Sequence, residues 1–326
     1  MNAVTVHKTH TFKWLLKREY WENRGGFLWA PVVTGAIVAL LSLIASTIGT
    51  VKVLQMKNKP SFNMNIDGPI DEYTRQIGAV GDGILILGLG LAFVVLAFVV
   101  FFYCLGTLHD DKRDRSILFW KSLPVSDTAM VLSKVCWALL LAPLLSLVIG
   151  VAIGLTLWVI AGASMAISGV PSGFSMFTHS HPFAVVGNAL SSLPIYVCWA
   201  LPTVGWLMFC SAWARSKPFL WAVLVPILAC IIISMVGILG LDLPYDKLWY
   251  VVAYRGLLSV IPGTWSPLAG HIDNNIQIHS PADLMQVVNL GNNWQLFGTI
   301  DMWIGMLVGV AFIVAAIHIR RWRETE

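Results

Sequence analysis

Six long apolar runs constrain the fold of this chain more than any other feature of its sequence. A transmembrane α-helix needs about 20 consecutive apolar residues, because the hydrocarbon core of a bilayer is about 30 Å thick. Backbone polar groups inside that core have to be satisfied within the protein, and a helix does so within a single segment. The runs cover residues 30–51, 84–108, 135–161, 183–213, 219–241 and 302–319. The sequence therefore predicts an all-α polytopic membrane protein with six transmembrane helices.

The composition agrees with this class and argues against several others. Hydrophobic residues make up 57% of the 326 residues and charged residues only 12%, whereas about a quarter of a soluble domain is charged. No basic stripe of the kind that binds nucleic acid occurs, so no nucleic-acid partner is expected. All five cysteines lie in or beside apolar runs, which favours packing roles over disulfides or metal ligands.

The distribution of Lys and Arg predicts the orientation of the helices. Cytoplasmic loops of membrane proteins carry an excess of basic residues. With the N-terminus inside, six of the 21 basic residues fall outside and the other fifteen fall on the cytoplasmic side. The six outer residues are Lys52, Lys57, Lys59, Arg75, Lys247 and Arg255. We therefore expect a multi-pass protein of a bacterial inner (plasma) membrane, with both termini in the cytoplasm.

This layout divides the chain into three regions and two functional loops. Residues 1–29 form a cytoplasmic N-terminus, residues 30–320 form the six-span domain, and residues 321–326 form a cytoplasmic tail. A charged loop, 109–134, lies on the cytoplasmic side, and a longer, partly apolar loop, 242–300, lies outside. The outer loop is predicted to contain helices over 248–260 and 281–290, the second opening on Ser280-Pro281.

The N-terminal region predicts an amphipathic helix that lies on the membrane surface. Apolar side chains recur at helical spacing and basic side chains lie beside them, which is typical of a helix on an anionic leaflet. The residues assigned to this surface are Phe12, Lys13, Leu15, Leu16 and Lys17. Glu19 interrupts the apolar arc, so a solvated helix is the alternative.

The most charged stretch of the chain is HDDKRDRSILFWKSLPVSDTAMVLSK, residues 109–134, which joins the second and third runs. Its first seven residues carry six charges, and a short amphipathic patch, 117–120, follows them. Pro124 then ends any helix, because proline lacks an N–H group and disfavours the α conformation in the residue before it. Ser126 or Asp127 can cap the next helix. The chain thus leaves the membrane, forms a short surface helix and re-enters.

This segment resembles the loop after the second span in permease subunits of the ABC transporter type-2 family. The matching stretches are 114–116, 118–121, 123–126 and Lys134, although Arg115 and Ser116 stand where an acidic residue and a glycine are usual. The resemblance implies a type-2 ABC exporter permease fold, with an N-terminal interfacial helix and a cytoplasmic coupling helix. By that resemblance the ATPase-coupling residues are Arg115, Ser116, Leu118, Phe119, Trp120, Lys121, Leu123 and Pro124.

The resemblance also implies the partners and the function. Two permease chains, identical or different, would pair in the membrane, and two ABC ATPase subunits would bind their cytoplasmic loops. The chain has no GxxxxGK[ST] motif, so ATP and Mg²⁺ are expected on the ATPase and neither cofactor nor enzymatic activity on this chain. The centres of the runs carry no charge, which favours an amphipathic or hydrophobic cargo such as a lipid, peptide or drug-like compound.

Other classes of function make different demands on the sequence. A secondary carrier needs an ionisable group or a broken helix at membrane depth, and an intramembrane enzyme needs a catalytic motif such as HExxH or GxSxG. A membrane scaffold or sensor makes no such demand and stays open as an alternative. Phe119 and Trp120 can also act as headgroup anchors, and His179-Ser-His181 is too small a set to predict a metal site.

Two glycine pairs, Gly150-xxx-Gly154 and Gly305-xxx-Gly309, predict close helix packing. Packing inside one bundle is the preferred interpretation, with dimerisation as the alternative.

Overall fold

The computed structural model describes residues 11–58, 69–113, 126–238, 245–265 and 293–323. It is 91% helical, and no strand occurs in the described ranges. Five helical runs are long and apolar enough to cross a membrane: Thr11–Lys57, Ile70–Arg113, Asp127–Ile167, Pro182–Trp213 and Ile300–Trp322. The predicted all-α class and the transmembrane character of the helices are therefore confirmed.

Ten helices are numbered here in chain order among the described residues. They are α1 (Thr11–Arg24), α2 (Ala30–Lys57), α3 (Ile70–Arg113), α4 (Asp127–Cys136), α5 (Ala142–Ile167), α6 (Ser175–His179), α7 (Pro182–Trp213), α8 (Val225–Ile238), α9 (Tyr245–Trp249, continuing as the π-helix Tyr250–Leu258) and α10 (Ile300–Arg323). Further π-helical turns, Gly25–Trp29, Trp137–Leu141 and Leu220–Leu224, lead into α2, α5 and α8.

Proline accounts for the position of these three π-helical turns. Pro31, Pro143 and Pro226 each lie two residues after the end of a turn. A proline inside a helix donates no bond to the carbonyl four residues earlier, and its ring collides with that carbonyl. A wider turn before the proline relieves the collision without ending the helix. The chain therefore passes from α1 to α2, and from α4 to α5, in uninterrupted helical runs.

The bundle is organised around α3 and α7. The first packs on α2, α5 and α7, and α7 packs on α10. The core is densest along α7, where Trp199, Val204 and Met208 are fully buried. The surfaces of α2 and α10 are apolar and exposed, as expected of helices that face lipid or another chain.

Glycines permit the closest helix contacts. A Cβ atom on Gly88 of α3 would collide with the backbone of Gly154 of α5, and one on Gly205 of α7 would collide with the backbone of Gly309 of α10. The prediction that the glycine pairs pack inside one bundle is confirmed for Gly154 and Gly309. Such contacts are typical of membrane helices, which gain van der Waals attraction by approaching closely.

Other expectations have mixed outcomes. The predicted outer helix over 248–260 is present as α9, whereas the one predicted over 281–290 lies outside the described residues. The surface helix α1 is present, but it continues into α2 as one run, Thr11–Lys57. The fifth apolar run forms a helix whose apolar part, Leu220–Val236, is shorter than the five long runs.

Candidate functional site

A buried ion cluster joins four helices at one end of the bundle. Its members are Glu19 of α1, Asp111 of α3, Lys134 of α4 and Arg320 of α10, and their exposed fractions run from 1% to 9%. Taking a charge out of water costs several kcal/mol, by order of magnitude, unless well-placed partners offset it. The contacts within the cluster therefore decide whether these four helices hold together.

Lys134 lies at the centre of the cluster. Its Nζ atom is 3.1 Å from Glu19 Oε1 and 3.5 Å from Asp111 Oδ2, and it donates a hydrogen bond to Thr107 Oγ1 at 2.7 Å. The Tyr103 hydroxyl donates to the second oxygen of Glu19 at 2.6 Å. Three acceptors around one ammonium group tie α1 and α3 to the beginning of the third long run.

Arg320 extends the cluster to the last helix. Its Nη1 atom is 3.3 Å from Asp111 Oδ2, and its Nε atom is 3.7 Å from Asp127 Oδ1. Arg18 lies on the opposite side of Asp111, with 3.9 Å between Nη2 and Oδ1. Carboxylates and cations thus alternate through the cluster. The low dielectric of the protein interior strengthens the attraction between each neighbouring pair.

Hydrogen bonds join this end of α3 to α7 as well. The backbone N–H groups of Leu108 and His109 donate to Ser211 Oγ at 3.2 and 3.0 Å, and Lys112 Nζ donates to the carbonyl of Ala212. The beginning of α4 is fixed by an N-cap, because Ser126 Oγ accepts the Ala129 N–H at 3.2 Å. The sequence predicts Ser126 or Asp127 as the capping residue, and the structure shows Ser126 in this role.

The ion cluster borders both ends of the predicted coupling segment. Asp111 lies two residues before the end of α3 at Arg113, and Lys134 lies in the last turn of α4, which Ser126 opens. The predicted ATPase-coupling residues, Arg115, Ser116, Leu118, Phe119, Trp120, Lys121, Leu123 and Pro124, lie outside the described residues. The structure describes the helices on either side of these residues, α3 and α4.

The predicted interfacial residues of α1 separate into two environments. Leu15 is buried, while Phe12, Lys13 and Lys17 are exposed and Leu16 is half-buried. Lys17 lies over the ring of Trp14, 5.1 Å from its centroid. The buried side of α1 packs on α4, so this side of the helix faces protein.

Glu19 is the member of the cluster that the sequence signals most clearly. It follows Leu15 by one helical turn on the buried side of α1, where an acid without a partner is costly. Asp111 and Arg320 gave no such signal, because charges are usual where spans leave the membrane. Arg255 lies in the helix predicted over 248–260, and its burial, with 6% of its surface exposed, was not predicted.

His181 makes a structural contact near the end of the bundle opposite the ion cluster. Asp82 of α3 accepts the backbone N–H of His181 at 2.6 Å, and its other oxygen lies 3.3 Å from His181 Nδ1. Since His181 directly precedes α7, the carboxylate lies at a helix N-terminus, where a negative charge is favourable. No group of three potential metal ligands occurs among the residues described.

Comparison with known proteins identifies no relative, since the chain matches no protein-family model, no curated protein and no solved structure. The function is therefore argued from the predicted coupling residues, 115–124, and from the ion cluster on either side of them.

Proposed function

We propose that this chain is the transmembrane permease subunit of an ATP-driven exporter of the ABC type-2 class. The observation that carries the proposal is that the ion cluster holds both ends of the segment predicted to contact the ATPase. Asp111 lies before the segment and Lys134 after it, 3.5 Å apart across the cluster. A load on the segment therefore acts on α1, α3, α4 and α10 together, through rigid helices and ion pairs.

The proposal includes six crossings, with α8 as the fifth. The end of α10 at Arg320 contacts Asp111, so α10 ends at the same side of the bundle as α3 and α7. A helix of 24 residues is about 36 Å long, which puts Ile300 on the opposite side. The proposal therefore has the chain cross between Trp213 and Ile300, and the crossing is assigned to α8, whose apolar part is Leu220–Val236.

The partners and location follow from the same proposal. Two ABC ATPase subunits bind ATP and Mg²⁺ and dock on the coupling residues between Arg115 and Pro124, and a second permease chain pairs with this one in the bacterial inner membrane. The exposed apolar surface of α2, including Leu40 and Leu41 at 58% and 59% exposure, suits contact with lipid or with that chain. The expected cargo is amphipathic or hydrophobic.

Co-purification with a candidate ATPase tests this function. The chain is purified in detergent with the ATPase, as wild type and as Phe119→Ala/Trp120→Ala, and ATP hydrolysis is measured. We expect the double variant to lose the complex or the stimulated hydrolysis, because large aromatic side chains dominate the energy of protein interfaces. Trp322→Ala is the control, since Trp322 is an exposed aromatic residue at the same end of the bundle.

The outcomes separate the coupling assignment from the function itself. Equal binding and turnover in the wild type and the double variant would remove Phe119 and Trp120 from the coupling role. If even the wild type retains no ATPase, the permease proposal fails and a scaffold or sensor becomes the better explanation.

A further inference from the structure

Arg255 is a buried cation near the end of the bundle opposite the ion cluster. Its guanidinium carbon lies 3.6 Å from the centroid of the Trp199 ring. Its Nη1 donates to the Trp199 carbonyl at 3.2 Å and to Ser259 Oγ at 3.3 Å, and its Nη2 donates to the Asp301 carbonyl at 3.2 Å. These contacts orient the side chain, but every acceptor is uncharged.

The charge of Arg255 has no carboxylate partner among the described residues. Asp301 accepts a hydrogen bond from Arg255 through its backbone carbonyl, and its carboxylate acts on Arg255 only through space. A buried charge of this kind is costly unless an anion compensates it.

Arg255 lines a largely apolar cavity of about 370 Å³ between α7, α8, α9 and α10, and Asp301 is the one acid that lines it among the described residues. This volume lies near the lower end of the range for ligand sites, about 300–1,000 Å³. Val251, Ile304 and Val308 line the cavity and are themselves exposed. Because these side chains are apolar and lie on the outside of the bundle, the cavity opens toward the hydrocarbon of the membrane.

A second donor lines the same cavity. The hydroxyl of Tyr250 is buried and has no hydrogen-bond partner among the described residues. Buried polar groups are hydrogen-bonded in the great majority of cases, and an orphaned hydroxyl beside an uncompensated guanidinium indicates a missing acceptor.

The helices leave room for the guanidinium at this wall. A Cβ atom on Gly305 of α10 would collide with Arg255 Nη2, so the glycine leaves the space in which the guanidinium lies. The Gly305-xxx-Gly309 pattern therefore serves two purposes: Gly309 packs on α7 and Gly305 accommodates the cation.

We propose that this cavity binds the phosphodiester group of a membrane phospholipid. The phosphate accepts hydrogen bonds from Arg255 and from the Tyr250 hydroxyl, and one acyl chain lies along the apolar wall formed by α8 and α10. Arginine matches phosphate well, because its planar fork donates two parallel hydrogen bonds. A phospholipid rather than a soluble phosphate fits, because the cavity wall is apolar and includes side chains exposed on the outside of the bundle. The site does not depend on ATPase coupling, so the two proposals are tested separately.

Native mass spectrometry of the purified full-length chain, without an ATPase, tests the site. The chain is delipidated in detergent and offered phosphatidylglycerol or uncharged diacylglycerol with the same acyl chains. We expect the wild type to retain phosphatidylglycerol and to retain diacylglycerol at least about tenfold less, the size of effect that a charge-assisted hydrogen bond produces.

Two adjacent tyrosines supply a matched pair of variants. Tyr250 and Tyr254 stack with centroids 5.6 Å apart, but only Tyr254 has a partner for its hydroxyl, the carbonyl of Thr264. Tyr250→Phe removes a hydroxyl without a protein partner, so it leaves the unliganded fold unchanged and weakens phospholipid binding about tenfold. Tyr254→Phe removes an internal bond instead and leaves phospholipid binding unchanged.

Arg255→Gln removes the charge and is expected to abolish the preference for phosphatidylglycerol over diacylglycerol. Because Arg255 also holds α7 and α10, the Tyr250→Phe result keeps the test valid if this variant does not fold. The proposal is overturned if the wild type retains both lipids equally, or if Tyr250→Phe retains as much phosphatidylglycerol as the wild type.

Discussion

At the scale of single residues, the buried charges of Glu19 and Lys134 compensate each other. Their side chains are 2% and 4% exposed, so water compensates neither of them. Removing one partner of a buried pair is far more costly than removing both, because the remaining charge stays in a medium of low dielectric. Asp111 and Tyr103 moderate this cost by retaining contacts with Lys134 and Glu19.

We therefore predict that Glu19→Gln lowers the free energy of unfolding by about 3 kcal/mol, the lower end of the range for breaking a buried pair, since Lys134 retains Asp111. The measurement is loss of the circular-dichroism signal of the purified chain on titration with SDS in mixed micelles. Glu22→Gln is the control, because the Glu22 side chain is 48% exposed and pairs only with Arg18 one turn away. Its effect should stay within about 0.5 kcal/mol.

The double variant Glu19→Gln/Lys134→Met distinguishes charge from shape. With both charges removed, the cost of an uncompensated ammonium group disappears, and we expect part of the lost stability to return. A double variant as unstable as the sum of its single variants would mean that the two residues act independently.

At the scale of helices, the contact between α3 and α5 depends on the absence of side chains. A Cβ atom on Gly88 would collide with the backbone of Gly154, and a packed backbone cannot move aside as a flexible side chain can. We predict that Gly88→Ala destabilises the bundle by about 1–3 kcal/mol, the usual cost of overpacking. Gly90→Ala, two residues further along α3, meets nothing within 4 Å and should cause no loss. Equal effects of the two variants in the SDS titration would contradict this account of the contact.

The helices themselves could largely be predicted from the sequence, and their ends could not. The second run was predicted as 84–108 and is the helix Ile70–Arg113, because hydropathy detects only the apolar part whereas backbone hydrogen bonds continue into the polar ends. The helix at 248–260 was predicted, yet the burial of Arg255 was not. Periodicity describes one helix at a time, and this burial depends on Trp199 of α7 and Gly305 of α10.

The ion cluster was beyond prediction for a similar reason. Its four charged members come from four helices that are far apart in the sequence, and each lies where a charge is unremarkable or, in the case of Glu19, only a local irregularity. The coupling residues at 115–124 were predicted from a resemblance. Their role stays a prediction that the co-purification experiment tests.

At the scale of the whole molecule, the cluster restricts the topology, because it brings α1 and the end of α10 to one side. Arg18 and Arg320 both contact Asp111, so the number of membrane crossings between α1 and the end of α10 has to be even. In the described part of the chain, five helical runs are long and apolar enough to cross a membrane, and an odd number of crossings would separate these two arginines by the thickness of the bilayer. The shorter helix α8 restores the even number if it crosses.

Cysteine labelling in intact and permeabilised cells tests whether α8 crosses the membrane. We predict that Asp246→Cys, after α8, reacts with a membrane-impermeant maleimide in intact cells, whereas Arg215→Cys, before α8, reacts only after permeabilisation. Arg321→Cys should behave like Arg215→Cys, since Arg320 contacts Asp111 at the same end. Background labelling should be low, because the five native cysteines are buried or half-buried. If Arg215→Cys and Asp246→Cys react alike, α8 does not cross, and α10 then has to reach the ion cluster by a different path.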